Sequence, residues 1–229
     1  MLITGRHADT LEAAAARLRE RTGGAVRALV NDVSDPDAAK EALSEAESRF
    51  GALDVLVLNA GGPRPGRILD VGEVDWQDAF SLLLLGPLRL ARLALPRMAV
   101  RGFGRVVFVT STAVRRPQPD LAASVVLRHA VTAAAKLLAL EFAAQGVTVN
   151  CVAPGATATD RRRQILDNRA RAAGRSYGEL DAEDAASVPA GRAGRPEEIG
   201  AAVAFLASEA AGYVNGTVLT VDGGRTETI

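Results

Sequence analysis

The hydrophobic positions of this chain fall into short continuous runs that alternate with longer segments of helical spacing. The short runs predict buried β-strands at 1–6, 26–30, 53–58, 106–109, 147–152 and 217–221. The longer segments predict helices at 10–22, 36–50, 76–99, 124–142 and 196–208, and the third of these is expected to break or bend near Gly86-Pro87. Strands that alternate with helices along a chain indicate one α/β domain built on a doubly wound parallel sheet.

Polar and glycine-containing stretches follow three of these strands. Thr110-Ser111-Thr112 follows the strand at 106–109, Asn59-Ala60-Gly61 follows 53–58, and Ala153-Pro154-Gly155 ends the strand at 147–152. Parallel strands finish at the same edge of a sheet, and ligands of open parallel sheets bind there. The sequence therefore predicts a ligand site at this edge.

Composition narrows the classes of partner. The 229 residues suit a single domain, 48% are apolar, and the formal net charge of +0 argues against a nucleic-acid partner. The single cysteine, Cys151, lies in a predicted core strand, so no disulfide framework is expected and a reducing cytoplasm is the default location. No uninterrupted apolar run approaches the ~20 residues of a membrane span. Neither a membrane partner nor a metal site is predicted.

The motifs at the strand ends resemble those of the short-chain dehydrogenase/reductase family. The resemblance covers essentially the whole chain and is greatest to reductases of the 3-oxoacyl-carrier-protein type. It implies a Rossmann-like doubly wound parallel sheet and a nicotinamide cofactor. It also implies hydride transfer to or from a carbonyl or alcohol, a 3-oxoacyl thioester being one candidate, and a homotetramer or homodimer.

One departure from the family lies at the start of the chain. The family begins with a strand, a Gly-rich turn that holds the cofactor pyrophosphate, and a helix, whereas Met1 falls where the second strand begins. The expected domain over residues 1–229 therefore lacks the first strand, the Gly-rich turn and the first helix. Two strand edges are then expected to be unpaired. A start codon placed too late and a genuine truncation both remain open.

The resemblance assigns several residues to the cofactor. Arg6 would favour the 2′-phosphate of NADP over NAD, although a solvated arginine after a strand is the alternative. Asp32 and Val33 would contact the adenine, although an aspartate at a strand end also forms turns. The remaining cofactor residues implied are Asn59, Ala60 and Gly61, where the glycine lets the protein backbone approach the cofactor, and Pro154, Gly155 and Thr159 near the nicotinamide.

A second departure lies in the catalytic set that the resemblance implies. Ser111 occupies the family's serine position, but the tyrosine position thirteen residues later is Ser124 and the following lysine position is Arg128. The family's asparagine position is Leu83. A serine hydroxyl is a far weaker acid than a phenol, and arginine stays charged in proteins. Ser111 would still polarise a substrate oxygen, Ser124 would supply a hydroxyl, and Arg128 would hold the ribose.

Two hypotheses follow from these residues. The first is a divergent NADP-dependent oxidoreductase in which water or Tyr177 delivers the proton. The second is a catalytically impaired protein of the same fold that binds a nucleotide or a partner without turnover. Residues 161–190 are expected to form a substrate lid, and its basic start, Arg161-Arg162-Arg163, suits either an acidic or phosphopantetheine-bearing substrate or a solvated helix turn.

Overall fold

The computed structural model describes residues 1–227 as one α/β unit. Its strands are β1 (Leu2–Gly5), β2 (Arg27–Val30), β3 (Val55–Leu58), β4 (Gly104–Val109), β5 (Val147–Pro154) and β6 (Val218–Val221). Its α-helices are α1 (Ala8–Thr22), α2 (Ala38–Phe50), α3 (Glu73–Phe80), α4 (Gly86–Arg101), α5 (Ala122–Phe142), α6 (Asp160–Ala173), α7 (Tyr177–Ala186) and α8 (Pro196–Ala207). The predicted elements are confirmed, with ends that differ by a few residues.

All strand pairs are parallel, and β4 and β5 lie at the centre of a four-stranded sheet of order β3-β4-β5-β6. Both faces of β4 are covered, which explains its continuous apolar run. Val106 and Phe108 of β4 pack on one face with Met98 of α4 and Val131 of α5. On the other face, Val107 packs with Val152 and with Leu206 of α8. This two-sided core fixes where the carboxyl ends of the strands lie.

β1 and β2 form a separate two-stranded parallel sheet. Within residues 1–227, β1 pairs only with β2, and β3 pairs only with β4. The side chains of Val55 and Val57 on β3 are 40% and 43% exposed. The prediction of two unpaired strand edges is therefore confirmed. Unpaired edges of this kind are able to pair with a further strand.

The helical segment over 73–101 contains one turn of π-helix at Ser81–Leu85, between α3 and α4. The expected bend therefore precedes Gly86-Pro87 rather than coinciding with it. Gly86 begins α4, where a Cβ atom would lie 2.1 Å from the carbonyl oxygen of Val33. The glycine lets the loop after β2 pack directly on the helix, which a side chain would prevent.

Two segments, Glu73–Arg101 and Ala122–Gln145, are long and apolar enough to span a membrane by length and composition. Their buried residues, which include Leu95 of α4 and Ala135 of α5, belong to the core that covers the sheet. Packing on the sheet therefore explains the buried part of their apolar character.

The contact at Gly86 predicts a stability effect. In Gly86→Ala the new methyl group must displace the Val33 carbonyl, so the free energy of unfolding should fall by about 1–3 kcal/mol. Gly200→Ala is the matched control because a Cβ atom there meets nothing within 4 Å on the exposed side of α8. The control should be neutral or stabilising by about 0.5–1 kcal/mol. Denaturant midpoints measure both, and equal midpoints would contradict the proposed close approach.

Candidate active site at the carboxyl ends of β3, β4 and β5

Arg128 connects three elements at the carboxyl edge of the four-stranded sheet. From the first turns of α5, its Nη1 donates to the carbonyl of Val109 at 2.8 Å, and its Nη2 points to the carbonyl of Ala60 at 3.5 Å. Its Nε donates to Ser124 Oγ at 3.2 Å, one helical turn earlier. One guanidinium therefore joins α5 to the ends of β3 and β4. The structure thus brings together Arg128, Ser124 and the Asn59-Ala60-Gly61 motif.

Burial lowers the pKa of Arg128 to about 10, and the positive charge of Arg161 contributes to the same shift. A pKa of about 10 leaves the guanidinium protonated at pH 7. Arg128 is therefore a fixed donor and a fixed charge at this edge. It does not exchange protons in the neutral range.

The two serine hydroxyls of the site each accept a hydrogen bond from the protein. Ser111 Oγ accepts from the backbone N–H of Ala113 at 3.1 Å, and Ser124 Oγ accepts from Arg128. Within residues 1–227, neither hydroxyl donates to a protein acceptor. Each O–H is thus available to a bound oxygen atom. Ser111 lies two residues beyond Val109, the residue that Arg128 contacts.

Leu83 belongs to an apolar cluster that packs next to Ser124. It is 3% exposed and lies in the π-helical turn, in a cluster with Ala79 and with Ala123 and Leu127 of α5. Ala60 packs against the same cluster. The structure therefore offers no polar side chain for a proton relay at this position. This agrees with the expectation drawn from the sequence for Leu83.

The motif at the end of β3 leaves room for a ligand. Asn59 and Gly61 are exposed, and a Cβ atom on Gly61 would meet nothing within 4 Å. A flat ligand can approach the Gly61 backbone closely. The open backbone at Gly61 and the protonated donor at Arg128 fit the nicotinamide cofactor that the resemblance implies.

The motif at the end of β5 has a clear structural explanation as well. Pro154 pairs with Val221 of β6, and a Cβ atom on Gly155 would lie 2.5 Å from the Cβ of Asp222. Thr159 is the N-cap of α6, where its Oγ1 accepts from the backbone N–H of Arg162 at 3.3 Å. Packing and capping alone require these residue types. Their cofactor roles remain predictions.

Arg6 lies in an acidic environment. It lines a cavity of about 310 Å³ whose other lining residues are Val30, Asn31, Asp32, Asp35, Asp37, Ala38 and Glu41. Hydrogen bonds from the side chain and backbone of Ser34 lower the pKa of Asp32, and the nearby charge of Arg6 adds to this. Asp32 therefore forms a local turn, which is the alternative to an adenine contact. The next residue is Val33, whose carbonyl packs on Gly86. One arginine facing four carboxylates is a weak site for a phosphate.

The segment expected to be a lid forms two helices, α6 and α7, which ion pairs fix to the rest of the domain. Arg162 pairs with Asp181 and Asp184 of α7, and Arg225 after β6 also pairs with Asp184. Arg162 is therefore a structural residue rather than a free basic group. No local pattern in the sequence predicts these pairs because their partners lie far apart along the chain.

A second set of contacts holds α6 over the strand ends. Arg169 of α6 donates through Nε and Nη2 to both carboxylate oxygens of Asp120, at 2.8 and 2.9 Å. Arg161 donates through Nη2 to the carbonyl of Pro63 at 2.6 Å. These contacts connect the lid to the loops on both sides of the site. No pattern in the sequence predicts the pairing of Asp120 with Arg169.

Two further reactive side chains, Tyr177 and Cys151, lie away from Ser111 and Ser124. Tyr177 lines a cavity of about 490 Å³ under the lid with Thr159 and Arg163, and neither Ser111, Ser124 nor Arg128 lines that cavity. Cys151 is buried, and burial raises its thiol pKa to about 12, so it is no nucleophile.

The fold and this edge define a class of protein. A doubly wound parallel sheet with a glycine-containing motif, two free hydroxyls and a fixed cation at its strand ends is the arrangement of a Rossmann-like nucleotide-binding protein. The family model described as "Enoyl-(Acyl carrier protein) reductase" matches residues 1–226. The chain belongs to the short-chain dehydrogenase/reductase family.

Similar proteins agree with this membership. The 3-oxoacyl-[acyl-carrier-protein] reductase FabG of Haemophilus influenzae is 34% identical over 215 residues, which are 94% of this chain and 84% of that protein. The structure of L-sorbose reductase from Gluconobacter frateurii with NADPH and L-sorbose superimposes with a TM-score of 0.93 at 30% identity, over 100% of this chain and 87% of that one. Actinorhodin polyketide ketoreductase with NADPH gives a TM-score of 0.94 at 29% identity, over 99% and 87%.

The lid contact at Asp120 predicts a pH-dependent stability. Burial acts to raise the pKa of Asp120, but the hydrogen bonds and charge of Arg169 outweigh it and lower the pKa overall. A lowered folded-state pKa stabilises the fold above the ordinary aspartate pKa, and the gain is lost as the pH falls through the folded value. Asp120→Asn should therefore reduce the free energy of unfolding at pH 7 by about 0.5–1 kcal/mol. The difference from wild type should shrink towards pH 3.

Denaturant unfolding at several pH values measures this dependence. Asp70→Asn is the control, because Asp70 is exposed and forms no ion pair in the described part of the chain. A deficit in Asp120→Asn that is constant with pH would contradict the ion-pair explanation.

Proposed function

We propose that this chain is an NADPH-dependent reductase of carbonyl groups that works with a serine–serine–arginine set. The observation that carries the proposal is the position of Arg128, which holds Ser124 beside the ends of β3 and β4 while leaving its O–H free. The similarity to reductases whose structures contain NADPH supports the choice of cofactor. The acidic surroundings of Arg6 do not support the choice of NADPH.

In this proposal the chain's residues hold and orient the reactants. Arg128 and the backbone at Asn59, Ala60 and Gly61 hold the nicotinamide end, with Pro154, Gly155 and Thr159 on the opposite side. Asp32, Val33 and Arg6 lie at the adenine end. When bound, a reduced nicotinamide supplies a hydride to a carbonyl carbon.

The hydroxyls act on the carbonyl oxygen. Ser111 donates its free O–H to that oxygen and stabilises the negative charge that develops on it. Ser124 donates a second hydrogen bond, strengthened because its own oxygen accepts from the Arg128 cation. A serine does not give up its proton at neutral pH, so the final proton comes from water. Tyr177 serves as an alternative donor only if the lid moves, since it lines a different cavity.

A second candidate function is binding without turnover. The observation that favours it is the apolar packing of Leu83 and the serine at position 124, which leave no group with a pKa near neutral beside Ser111. A domain of this kind would bind a nucleotide or a partner through the same strand ends.

The similarity to 3-oxoacyl-[acyl-carrier-protein] reductase suggests a substrate and an assembly. The proposed substrate is a small or acyl-carrier-linked carbonyl compound, with residues 161–190 as its lid. The proposed assembly is a homodimer or homotetramer. Exposed apolar residues on α4 and α5 support a contact between copies, namely Val100, Val126, Leu137 and Leu140. The expected location remains the cytoplasm.

Cofactor binding is the first measurement. Titration of the purified chain with NADPH, and with NADH in parallel, should show saturable enhancement of nicotinamide fluorescence with tighter binding of NADPH. No binding by a folded chain would contradict both the reductase and a nucleotide-binding protein. Preference for NADH would contradict the assignment of NADP.

Turnover separates the two candidate functions. With acetoacetyl-coenzyme A as a 3-oxoacyl thioester, the reductase should oxidise NADPH, and Ser111→Ala should lower kcat/KM by roughly 100-fold. Replacement of both positions in Ser124→Tyr/Arg128→Lys should raise kcat, because a phenol beside a cation is a stronger acid than a serine. Ser124→Phe/Arg128→Lys is the matched control without the hydroxyl. Binding of NADPH without oxidation of this thioester or a panel of simple ketones would favour the binding protein.

A further inference from the structure

Arg128 of α5 and Arg161 of α6 differ from Arg162 and Arg169 in what they contact. The guanidinium groups of Arg162 and Arg169 form ion pairs with carboxylates. Arg128, by contrast, donates only to a hydroxyl and to backbone carbonyls. Arg161 donates only to the carbonyl of Pro63 and the side-chain oxygen of Gln164. Within residues 1–227, neither forms an ion pair.

The charge of Arg161 acts on Arg128. The charge of Arg161 contributes to the lowered pKa of Arg128, and burial lowers the pKa of Arg161 itself. Like charges that face each other in a partly buried place are unfavourable unless an anion lies between or beside them. The arrangement therefore has a charge imbalance that a negatively charged ligand would correct.

Both guanidiniums retain unused donors. A guanidinium carries five N–H groups. The hydrogen bonds of Arg128 use one group on Nε, one on Nη1 and, at 3.5 Å, one on Nη2. Those of Arg161 use one on Nη1 and one on Nη2. Paired N–H groups on a planar guanidinium match the two oxygens of a carboxylate or a phosphoryl group.

The position of Arg161 brings the second cation to the site. Its side chain crosses from the start of α6 to the loop after β3, so closely that a Cβ atom on Gly62 would lie 2.8 Å from its Nε. Gly62 follows the Asn59-Ala60-Gly61 motif directly. Helices α5 and α6 therefore each direct one cation to the carboxyl ends of the strands.

We propose that Arg128 and Arg161 together form a binding site for an oxyanion, a carboxylate or phosphoryl group, on a molecule held between the lid and the strand ends. This deepens the proposed function, on which it rests, by assigning a charged group to the bound molecule. Two sources have this chemistry. One is an anionic substrate, whose charged group would lie near Ser124, and the other is the diphosphate of the cofactor.

Anion titration of the full chain tests the site. Isothermal titration calorimetry with malonate and with pyrophosphate should show saturable binding, whereas the neutral analogue malonamide should not bind. Arg161→Gln should weaken the binding of these anions by roughly tenfold or more, because charge-assisted hydrogen bonds are lost. Arg163→Gln is the matched control: it removes the same charge two residues further along α6, where Arg163 is exposed over the ring of Tyr177. The control should retain wild-type affinity.

The affinity of each variant for NADPH distinguishes the sources. Loss of malonate binding in Arg161→Gln with unchanged NADPH affinity, and no competition between the two, assigns the site to an anionic substrate. Parallel loss of both, with competition, assigns it to the cofactor diphosphate. Arg128→Lys, which keeps the charge but loses the planar pair of donors, should weaken anion binding in either case.

Three results would overturn the oxyanion site. These are no binding of malonate or pyrophosphate by the folded wild-type chain, equal affinity in Arg161→Gln, and an equal loss in Arg163→Gln. Failure of the proposed function gives a different pattern. There, malonate binds in an Arg161-dependent manner while NADPH neither binds nor is oxidised.

Discussion

The parallel pairing of β4 with β5, buried on both faces, is the constraint on which the rest of the structure depends. Side chains of α4 and α5 cover one face and α8 covers the other, so the two strands cannot shift without disrupting both layers. Their register, with Phe108 opposite Cys151 and Val109 opposite Val152, fixes where the strands end. Each polar group of the candidate site lies on a strand end or on a helix packed against this pair.

Arg128 connects the candidate site to this rigid pair of strands. Its guanidinium reaches the carbonyl of Val109 from α5, so the hydroxyl of Ser124 is held relative to β4 by a charged group that does not titrate near neutral pH. A lysine at this position would be a flexible point charge, whereas arginine is a planar set of donors. An arginine at position 128 therefore favours fixed binding of a ligand over the transfer of a proton.

Ion pairs add to apolar packing in the segment of α6 and α7, where Leu166 and Ala170 are also buried. Asp184, whose side chain is only 10% exposed, accepts from arginines on α6 and after β6, and Asp120 accepts both donors of Arg169. Such contacts are weaker than a core and sensitive to pH and salt.

The order of the elements, the parallel sheet and the sheet edge where the candidate site lies could be predicted from the sequence. The reason is that strands buried on both faces need continuous apolar runs, and the motifs at 59–61, 110–112 and 153–155 follow those runs directly. The resemblance to the family also assigned roles to Ser111, Ser124 and Arg128, and these roles stay predictions.

Which arginines are neutralised by a carboxylate is apparent only from the folded structure. Among the three arginines at the start of α6, Arg162 is paired with Asp181 and Asp184, while Arg161 reaches the carbonyl of Pro63 and stays without a carboxylate. Similarly, the sequence leaves Arg6 open between a phosphate ligand and a solvated arginine, and the folded chain places carboxylates around it. Partners from distant segments set the electrostatic environment of each group, and no local pattern records them.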